Sequence, residues 1–261
     1  MTKNGGRIGK INEPNSAGIV GSGVWTLADQ NIFESASKWR GSYVTAGLVA
    51  AWDAKNPLSY SGTGSSWSDI SGNGLTLTMN GSLTWNSAGY FTNWSTSNFW
   101  SQNSNWASFV PTGTSARTII AYANRSGGSG TAYEHVVHYG TANSQQAYGI
   151  AVQSGNLNDH RWATSNFDGA VDTSSNLTLS VRYDSSTYTN SRFGINTTYT
   201  NGSTISSQNT GSTTFRVGSR IDVPTETWPS SGRIYAVFIY NRVLSDAEMT
   251  AMHTYFSSRF G

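Results

Sequence analysis

Short apolar or alternating runs, separated by clusters of Gly, Asn and Ser, recur along the chain from Gly47 to the carboxy terminus. Many short strands divided by turn residues are typical of a β-sandwich or a barrel. The strands that this pattern predicts cover residues 48–54, 75–79, 90–94, 118–123, 133–139, 148–153, 161–164, 177–183, 192–196, 214–218 and 233–240.

The last of these runs is apolar on both faces. Strict alternation assigns Ile234, Ala236, Phe238 and Tyr240 to one face, and Tyr235, Val237 and Ile239 to the other. We therefore expect both faces to be covered, one by the core between two sheets and the other by a helix.

A helix is predicted directly after this strand. Ser245 and Glu248 form a capping-box pattern. Met249, Met252 and Phe256 then follow at the spacing of one helical face. The apolar face of this helix is expected to cover the outer side of the last strand.

Residues 1–41 differ from the rest of the chain. Residues 5–22 are rich in Gly, Asn and Ser, with little periodicity, and predict an extended arm. A capping-box pattern from Thr26 to Asp29 precedes a short helix, predicted over about residues 27–38. Its apolar stripe consists of Ile32, Phe33, Ala36 and Trp39.

This amino-terminal segment has two interpretations. It packs on its own domain, or it docks on another subunit, since a polar arm and one small helix bury little surface alone. The chain is accordingly divided into an arm with a short helix, residues 1–41, and one β-sandwich domain, residues 42–261.

Composition narrows the function classes. Charged residues make up 11% of the 261 residues, the net charge is +2, and no run of like charge marks a nucleic-acid surface. The absence of cysteine excludes disulfide scaffolds and cysteine-based zinc sites. The sequence as written begins without an apolar run, so we expect no signal peptide and no membrane insertion.

Three segments carry a family resemblance. Residues 47–56 look like a first strand, residues 67–74 match a W-x-D-x-S-G-N-G turn, and residues 232–248 look like a final strand and helix. Together they resemble the concanavalin A-like lectin/glucanase superfamily, in its laminin-G-like branch. The resemblance implies an all-β fold: a concanavalin A-like antiparallel β-sandwich (jelly roll) with a short carboxy-terminal helix.

The arm carries a second resemblance. Residues 6–14 and 22–30, with Trp39, are similar to the start of structural proteins from tailed bacteriophages, marine and cyanobacterial ones in particular. This implies a virion protein of the capsid or tail, assembled in the host cytoplasm and displayed on the virion surface. Other virion proteins are the implied partners, and a homo-oligomer, with a trimer favoured, follows by analogy. The residues expected to anchor the arm are Arg7, Ile8, Val24, Trp25, Ile32, Phe33 and Trp39.

Catalytic patterns are sparse. Glycosidases of most families place two carboxylates about 5–5.5 Å apart, or farther for inversion. Of the five glutamates, only Glu134 and Glu226 lie outside the arm and the predicted helices, and neither has an acidic neighbour within three residues. No Gly-x-Ser-x-Gly elbow and no phosphate-binding glycine loop is present. We therefore expect no enzymatic activity and no catalytic residue.

Metal ligands are also not assigned. His135 and His138 are three residues apart in a predicted strand, which places them on opposite faces and predicts no metal pair. Many laminin-G-like domains bind calcium at a rim, but Asp69 is interpreted as a turn cap that bonds its own backbone. We assign no cofactor, with calcium left open.

Aromatic residues are the remaining binding signal, because sugars stack on aromatic rings while polar groups fix their orientation. Trp52 and Trp67 belong to the family core and are interpreted as structural. The glycan-binding candidates are Tyr148, Arg161, Trp162 and Trp228, with a structural role as the alternative for each.

The favoured function is a non-enzymatic virion protein that displays a lectin-like domain for host or environmental polysaccharide. The alternatives are a stand-alone glycan-binding module and, more weakly, a degenerate glycoside hydrolase.

Overall fold

The computed structural model describes residues 43–128, 133–162, 167–184, 192–202, 208–222 and 225–261. Over these residues the chain forms sixteen strands, a short 3-10 helix at Trp106–Ser108 and one α-helix, α1 (Asp246–Phe260). The strands are β1 (Leu48–Asp53), β2 (Ser66–Trp67), β3 (Leu77–Asn80), β4 (Thr84–Asn86), β5 (Tyr90–Thr92), β6 (Phe99–Gln102), β7 (Arg117–Asn124), β8 (Glu134–Gly140), β9 (Ala147–Gln153), β10 (Asn156–Asp159), β11 (Phe167–Ala170), β12 (Asn176–Tyr183), β13 (Arg192–Ile195), β14 (Thr198–Asn201), β15 (Thr214–Val217) and β16 (Arg233–Tyr240).

The strands pair antiparallel in two sheets. The first has the order β14-β13-β12-β7-β16-β5-β4, with β1 also paired to β16. The second has the order β11-β10-β9-β8-β15-β6-β3-β2. The predicted all-β antiparallel sandwich with a carboxy-terminal helix is confirmed.

The core between the sheets is rich in aromatic rings. Trp67, Phe91 and Trp100 are buried, with ring centroids 4.9–5.6 Å apart. Trp52 is buried beside them, and its indole N–H donates to the carbonyl of Leu75 at 2.8 Å. Large rings fill this space with few residues, which explains how a chain of modest apolar content forms a core.

A second apolar layer lies between α1 and the first sheet. Ser245 caps the helix, and it exchanges hydrogen bonds with Glu248 as the capping-box pattern predicts. Met249, Met252 and Phe256 are fully buried against the strands. Because α1 covers the outer side of β16, the prediction that both faces of this strand are covered is confirmed.

The assignment of β16 residues to faces needs one correction. The register of β16 against β7 shifts between Ile234 and Ala236, which marks a β-bulge. Ile234 therefore joins the core between the sheets, while Tyr235 lies under α1. Strict alternation was wrong for these two residues, because the extra residue of a bulge moves every earlier residue of the strand to the opposite face of the sheet.

A second bulge interrupts β8. Its register against β9 shifts between His135 and Val137, and both Val136 and Val137 lie in the core. His135 and His138 consequently share the outer face of the second sheet. The prediction that they lie on opposite faces is wrong, because a regular strand was assumed across the bulge.

Asp69 is a turn cap, as predicted. Its Oδ1 accepts the amides of Ala51 at 2.8 Å and Ser71 at 2.9 Å, and its Oδ2 accepts the amide of Gly74 at 3.1 Å. The carboxylate thereby fixes the 67–74 turn against β1.

Two strand predictions failed around β10. Residues 161 and 162 follow the end of β10 and are not in a strand, whereas residues 156–159 form one that was not predicted. Asn156, Asn158 and Asp159 have low strand propensity, and pairing with β9 over the whole length of β10 overrides it.

The predicted helix over 27–38 and all seven anchoring candidates lie outside the described residues. Across the residues that the structure describes, no helix has the length and apolar character needed to cross a bilayer.

Candidate functional site

An open polar groove lies on the outer face of the first sheet, at the edge formed by β4 and β5. Its volume is ≈ 660 Å³. Cross-strand pairing sets Thr84 opposite Thr92 and Asn86 opposite Tyr90. The lining residues are Thr84, Asn86, Tyr90, Thr92, Asn93, Ser230, Ser231 and Arg233.

The hairpin of β4 and β5 is anchored from its inner face. Trp85 and Phe91 alternate with the groove residues and point inward, and the indole N–H of Trp85 donates to the carbonyl of Ala54 at 2.9 Å. The hairpin turn brings Gly89 against Lys55, where a Cβ would lie 2.3 Å from the Lys55 Cβ, so glycine is required there. This anchoring holds the groove residues on a fixed backbone.

Tyr90 and Arg233 form the centre of the groove. The Arg233 guanidinium carbon lies 5.0 Å from the centroid of the Tyr90 ring, within the range of a cation–π contact. Tyr235 supports Tyr90 from the side of α1, with ring centroids 5.1 Å apart. A hydrogen bond with Tyr235 raises the pKa of Arg233 further above its ordinary value. Like every arginine, Arg233 is a permanent cation.

The far wall of the groove is held by backbone contacts. The amide of Asn93 donates to the carbonyl of Ser230 at 2.8 Å, and the Asn93 side chain donates to the carbonyl of Ser82 at 2.7 Å. The groove thus combines hydroxyl and amide groups, one aromatic ring and one cation, and none of its lining residues is acidic. Such a lining can hydrogen-bond and stack on a polyhydroxylated ligand.

Two of the four glycan-binding candidates lie in the interior. Tyr148 and Trp228 are each 0% exposed. The Trp228 indole N–H donates to the carbonyl of Asn124 at 3.1 Å. The guanidinium carbon of Arg117 lies 5.4 Å from the centroid of the Tyr148 ring. Neither ring offers an exposed face on which a sugar could stack.

The other two candidates follow β10 on the second sheet. Arg161 is buried and pairs with Asp159 at 3.2 Å. Trp162 is half-buried, with φ 63°, and the guanidinium carbon of Arg220 lies 4.1 Å from its ring centroid. Of the four, Trp162 alone keeps a partly exposed ring, and a glycan contact there stays a prediction.

Sequence reasoning missed Tyr90 and Arg233 as a pair. Both fall within predicted strands, but they lie on β5 and β16, and only the pairing of Ile234 with Phe91 brings their neighbours together. The available signal was a polar or charged residue at the end of an otherwise apolar strand, as Arg233 is.

A cluster of three histidines lies beneath the outer surface of the second sheet. His135, His138 and His160 are buried, and the pairwise distances between their ring centroids are 4.8–4.9 Å. One ring nitrogen from each lies within 4.8 Å of the other two. His135 and His138 lie on either side of the β8 bulge, and His160 directly follows the end of β10.

The chain matches no family model and no curated protein. It is similar in structure to Trypanosoma rangeli sialidase in complex with sialic acid, at a TM-score of 0.61 and 13% identity, over 93% of this chain and 36% of that one. A mutant of that sialidase displaying trans-sialidase activity gives a TM-score of 0.57 and 14% identity, over 85% and 35%. The receptor-binding domain of botulinum neurotoxin C/D mosaic serotype gives 0.60 and 11%, over 80% and 51%.

This chain therefore spans about a third of the sialidase structures and half of the toxin domain. At 11–14% identity, the likeness shows a shared β-sandwich fold.

The comparisons correct one expectation. The sequence predicted that the chain is not an enzyme, and this is contradicted by neighbours that are sialidases. The prediction rested on the missing pair of carboxylates, and that argument does not cover glycosidases that use a tyrosine nucleophile.

Proposed function

We propose that this chain is a carbohydrate-binding β-sandwich module whose ligand lies in the groove beside Tyr90 and Arg233. The observation that carries the proposal is the groove itself: one aromatic ring, one cation and a set of exposed hydroxyl and amide groups on a rigid sheet edge. The similar structures include a sialidase bound to sialic acid and a receptor-binding domain, which agrees with recognition of a cell-surface ligand.

Charge indicates the class of sugar. Arg233 is the cation of the groove, and no acidic residue stands among the lining residues to neutralise it. A guanidinium recognises a carboxylate or sulfate through charge-assisted hydrogen bonds. An acidic saccharide therefore fits the groove better than a neutral one of the same size.

The test is binding of the full-length protein to an array of neutral and acidic oligosaccharides, followed by titration calorimetry on the best ligand. Tyr90→Ala and Arg233→Gln should each weaken that affinity by roughly 10-fold or more, since each removes a central contact. Tyr199→Ala is the matched control, because Tyr199 also lies under a guanidinium, that of Arg182 at 5.0 Å, on the opposite edge of the same sheet.

Wild-type protein that binds no saccharide contradicts the proposal. So does an affinity that Tyr90→Ala and Arg233→Gln leave unchanged, because the ligand would then lie elsewhere.

The virion role is a second, separate proposal, and the sequence of residues 1–41 is what supports it. In this proposal the arm attaches the sandwich to the capsid or tail, as part of a homo-oligomer on the virion surface. Protein lacking residues 1–41 should fold and no longer join particles, as measured by co-sedimentation with virions. If the truncated protein joins virions to the same level as the full chain, the proposed attachment by residues 1–41 is contradicted.

A further inference from the structure

The histidine cluster contains ring nitrogens without partners. His135 Nε2 and His160 Nδ1 are 2.9 Å apart and share one hydrogen bond. Nδ1 of His135 and Nε2 of His138 have no partner with full hydrogen-bond geometry among the described residues, although backbone groups of Tyr133, Glu226 and His160 lie near these two rings. Buried polar atoms are normally paired, so unpaired nitrogens in a cluster indicate that another group completes it.

The type and placement of the rings suit a metal ion. The three imidazoles are buried side by side, and imidazole nitrogens are common ligands of transition-metal ions.

Two guanidinium groups lie near the rings, and each is paired with a carboxylate. Arg161 acts on His160 and pairs with Asp159 at 3.2 Å. Arg220 is the guanidinium that acts on all three rings. It is paired with Asp222 at 3.0 Å and with Glu226 at 2.7 Å, so two carboxylates offset its charge.

From these observations we propose that His135, His138 and His160 form a binding site for a divalent transition-metal ion, with Zn²⁺ the best fit. Imidazole ligands suit zinc, copper, iron and nickel, whereas calcium and magnesium prefer oxygen. Three histidines leave one tetrahedral position for a water molecule or an outside ligand. This site is independent of the groove and of its proposed ligand.

The three imidazole rings need only small local movements to reach the spacing of zinc ligands. Tetrahedral Zn²⁺ with bonds of about 2.0–2.1 Å holds its ligand nitrogens about 3.3 Å apart. One nitrogen of each ring lies within 4.8 Å of the other two. The hydrogen bond between Nε2 of His135 and Nδ1 of His160, at 2.9 Å, is broken when either of these nitrogens binds the ion. The amide of Ile221 approaches Nδ1 of His138 at 3.4 Å, which is long for a hydrogen bond and holds that ring only weakly.

The experiment uses the full chain without an affinity tag, stripped of metal with a chelator. Zn²⁺ is titrated into the native protein, and a second sample is refolded with Zn²⁺ present, because the rings are buried. We expect one zinc per chain. At a zinc concentration about 100 times the Kd, the melting temperature should rise by roughly 5–10 °C.

Variants locate the ion. His138→Gln and His160→Gln should each weaken zinc binding by at least about 100-fold, since each removes a ligand. His253→Gln is the matched control, because His253 is the fourth and last histidine of the chain and lies on α1, bonded to Thr178. It should bind zinc as the wild type does.

Nuclear magnetic resonance of the wild-type imidazole nitrogens avoids the risk that a variant misfolds. Zinc should shift the signals of three histidines and leave that of His253 in place. The proposal is overturned if neither the native nor the refolded protein binds zinc, if the two ligand variants bind as tightly as the wild type, or if His253 is the ring that shifts.

Discussion

His135 and His138 are three residues apart in sequence, yet their rings stand on one face of β8 with centroids 4.8 Å apart. The bulge between them produces this arrangement, because the register shift adds one residue before Val137. A local irregularity of the backbone thus creates the only described cluster of three potential metal ligands.

Salt should weaken the binding of an acidic saccharide if Arg233 recognises its charge. Between about 50 and about 500 mM NaCl we expect the Kd to rise by roughly 3- to 10-fold, because added ions screen the partly exposed guanidinium. Titration calorimetry of wild type and Arg233→Gln measures the effect. The variant should show little salt dependence, and an equal dependence in both proteins contradicts a role for Arg233.

The buried pair of Asp53 and Arg259 ties α1 to β1, with Arg259 Nε 2.5 Å from Asp53 Oδ2. Arg259→Met leaves a buried carboxylate without its partner, so we expect the free energy of unfolding to fall by about 3–5 kcal/mol. Urea unfolding at neutral pH measures it. The double variant Asp53→Asn/Arg259→Met should lose less than Arg259→Met alone. A double variant that is less stable than the single one contradicts this account.

Glu248 makes the helix cap sensitive to acid. Hydrogen bonds from Arg242, with further ones from Ser245, lower the pKa of Glu248 to about 2. Because its pKa is depressed on folding, its contribution to stability is present above about pH 4.5 and is lost as the pH falls towards 2.

Glu248→Gln should therefore lower the free energy of unfolding by about 1 kcal/mol at pH 7, and by progressively less as the pH falls below about 4.5. Urea unfolding at a series of pH values gives the comparison. Ser245→Ala is the control, because it removes an uncharged partner of the same cap. If the difference in the free energy of unfolding between wild type and Glu248→Gln stays constant down to about pH 2, the charge of Glu248 does not stabilise the cap.

Gly218 is required by both conformation and space. Its φ is +86°, and a Cβ there would lie 2.0 Å from Cε3 of Trp94, which is buried. Gly218→Ala should cost roughly 2–4 kcal/mol of stability from backbone strain and overpacking. Gly64→Ala isolates the strain, because Gly64 has φ +97° with nothing within 4 Å of a Cβ. Urea unfolding measures both variants. If Gly218→Ala and Gly64→Ala lower the free energy of unfolding equally, the predicted clash with Trp94 is contradicted.

Local patterns were sufficient for several parts of the fold. The cap of Ser245 and Glu248 and the turn held by Asp69 depend on residues close together in sequence, and both were predicted correctly. The apolar character of 234–240 likewise required cover on both sides. These features follow from short-range hydrogen bonding and from the removal of apolar surface from water.

The candidate sites could not be predicted in the same way. The aromatic candidates Tyr148 and Trp228 turned out to be core residues, because a ring has the same sequence signal whether it packs or binds. Tyr90 and Arg233 meet through the packing of two strands far apart in the chain. Their nearness depends on the order of strands in the sheet, which no local pattern contains.

The sequence alone determined the sandwich class, the capped carboxy-terminal helix and the amount of apolar surface to be buried, since these depend on composition and on local periodicity. The tertiary structure decided which side each residue near a bulge occupies. In β8 and in β16 one extra residue reverses the alternation, and whether a strand bulges depends on its partner strand. For that reason only the folded chain could bring His135, His138 and His160 together.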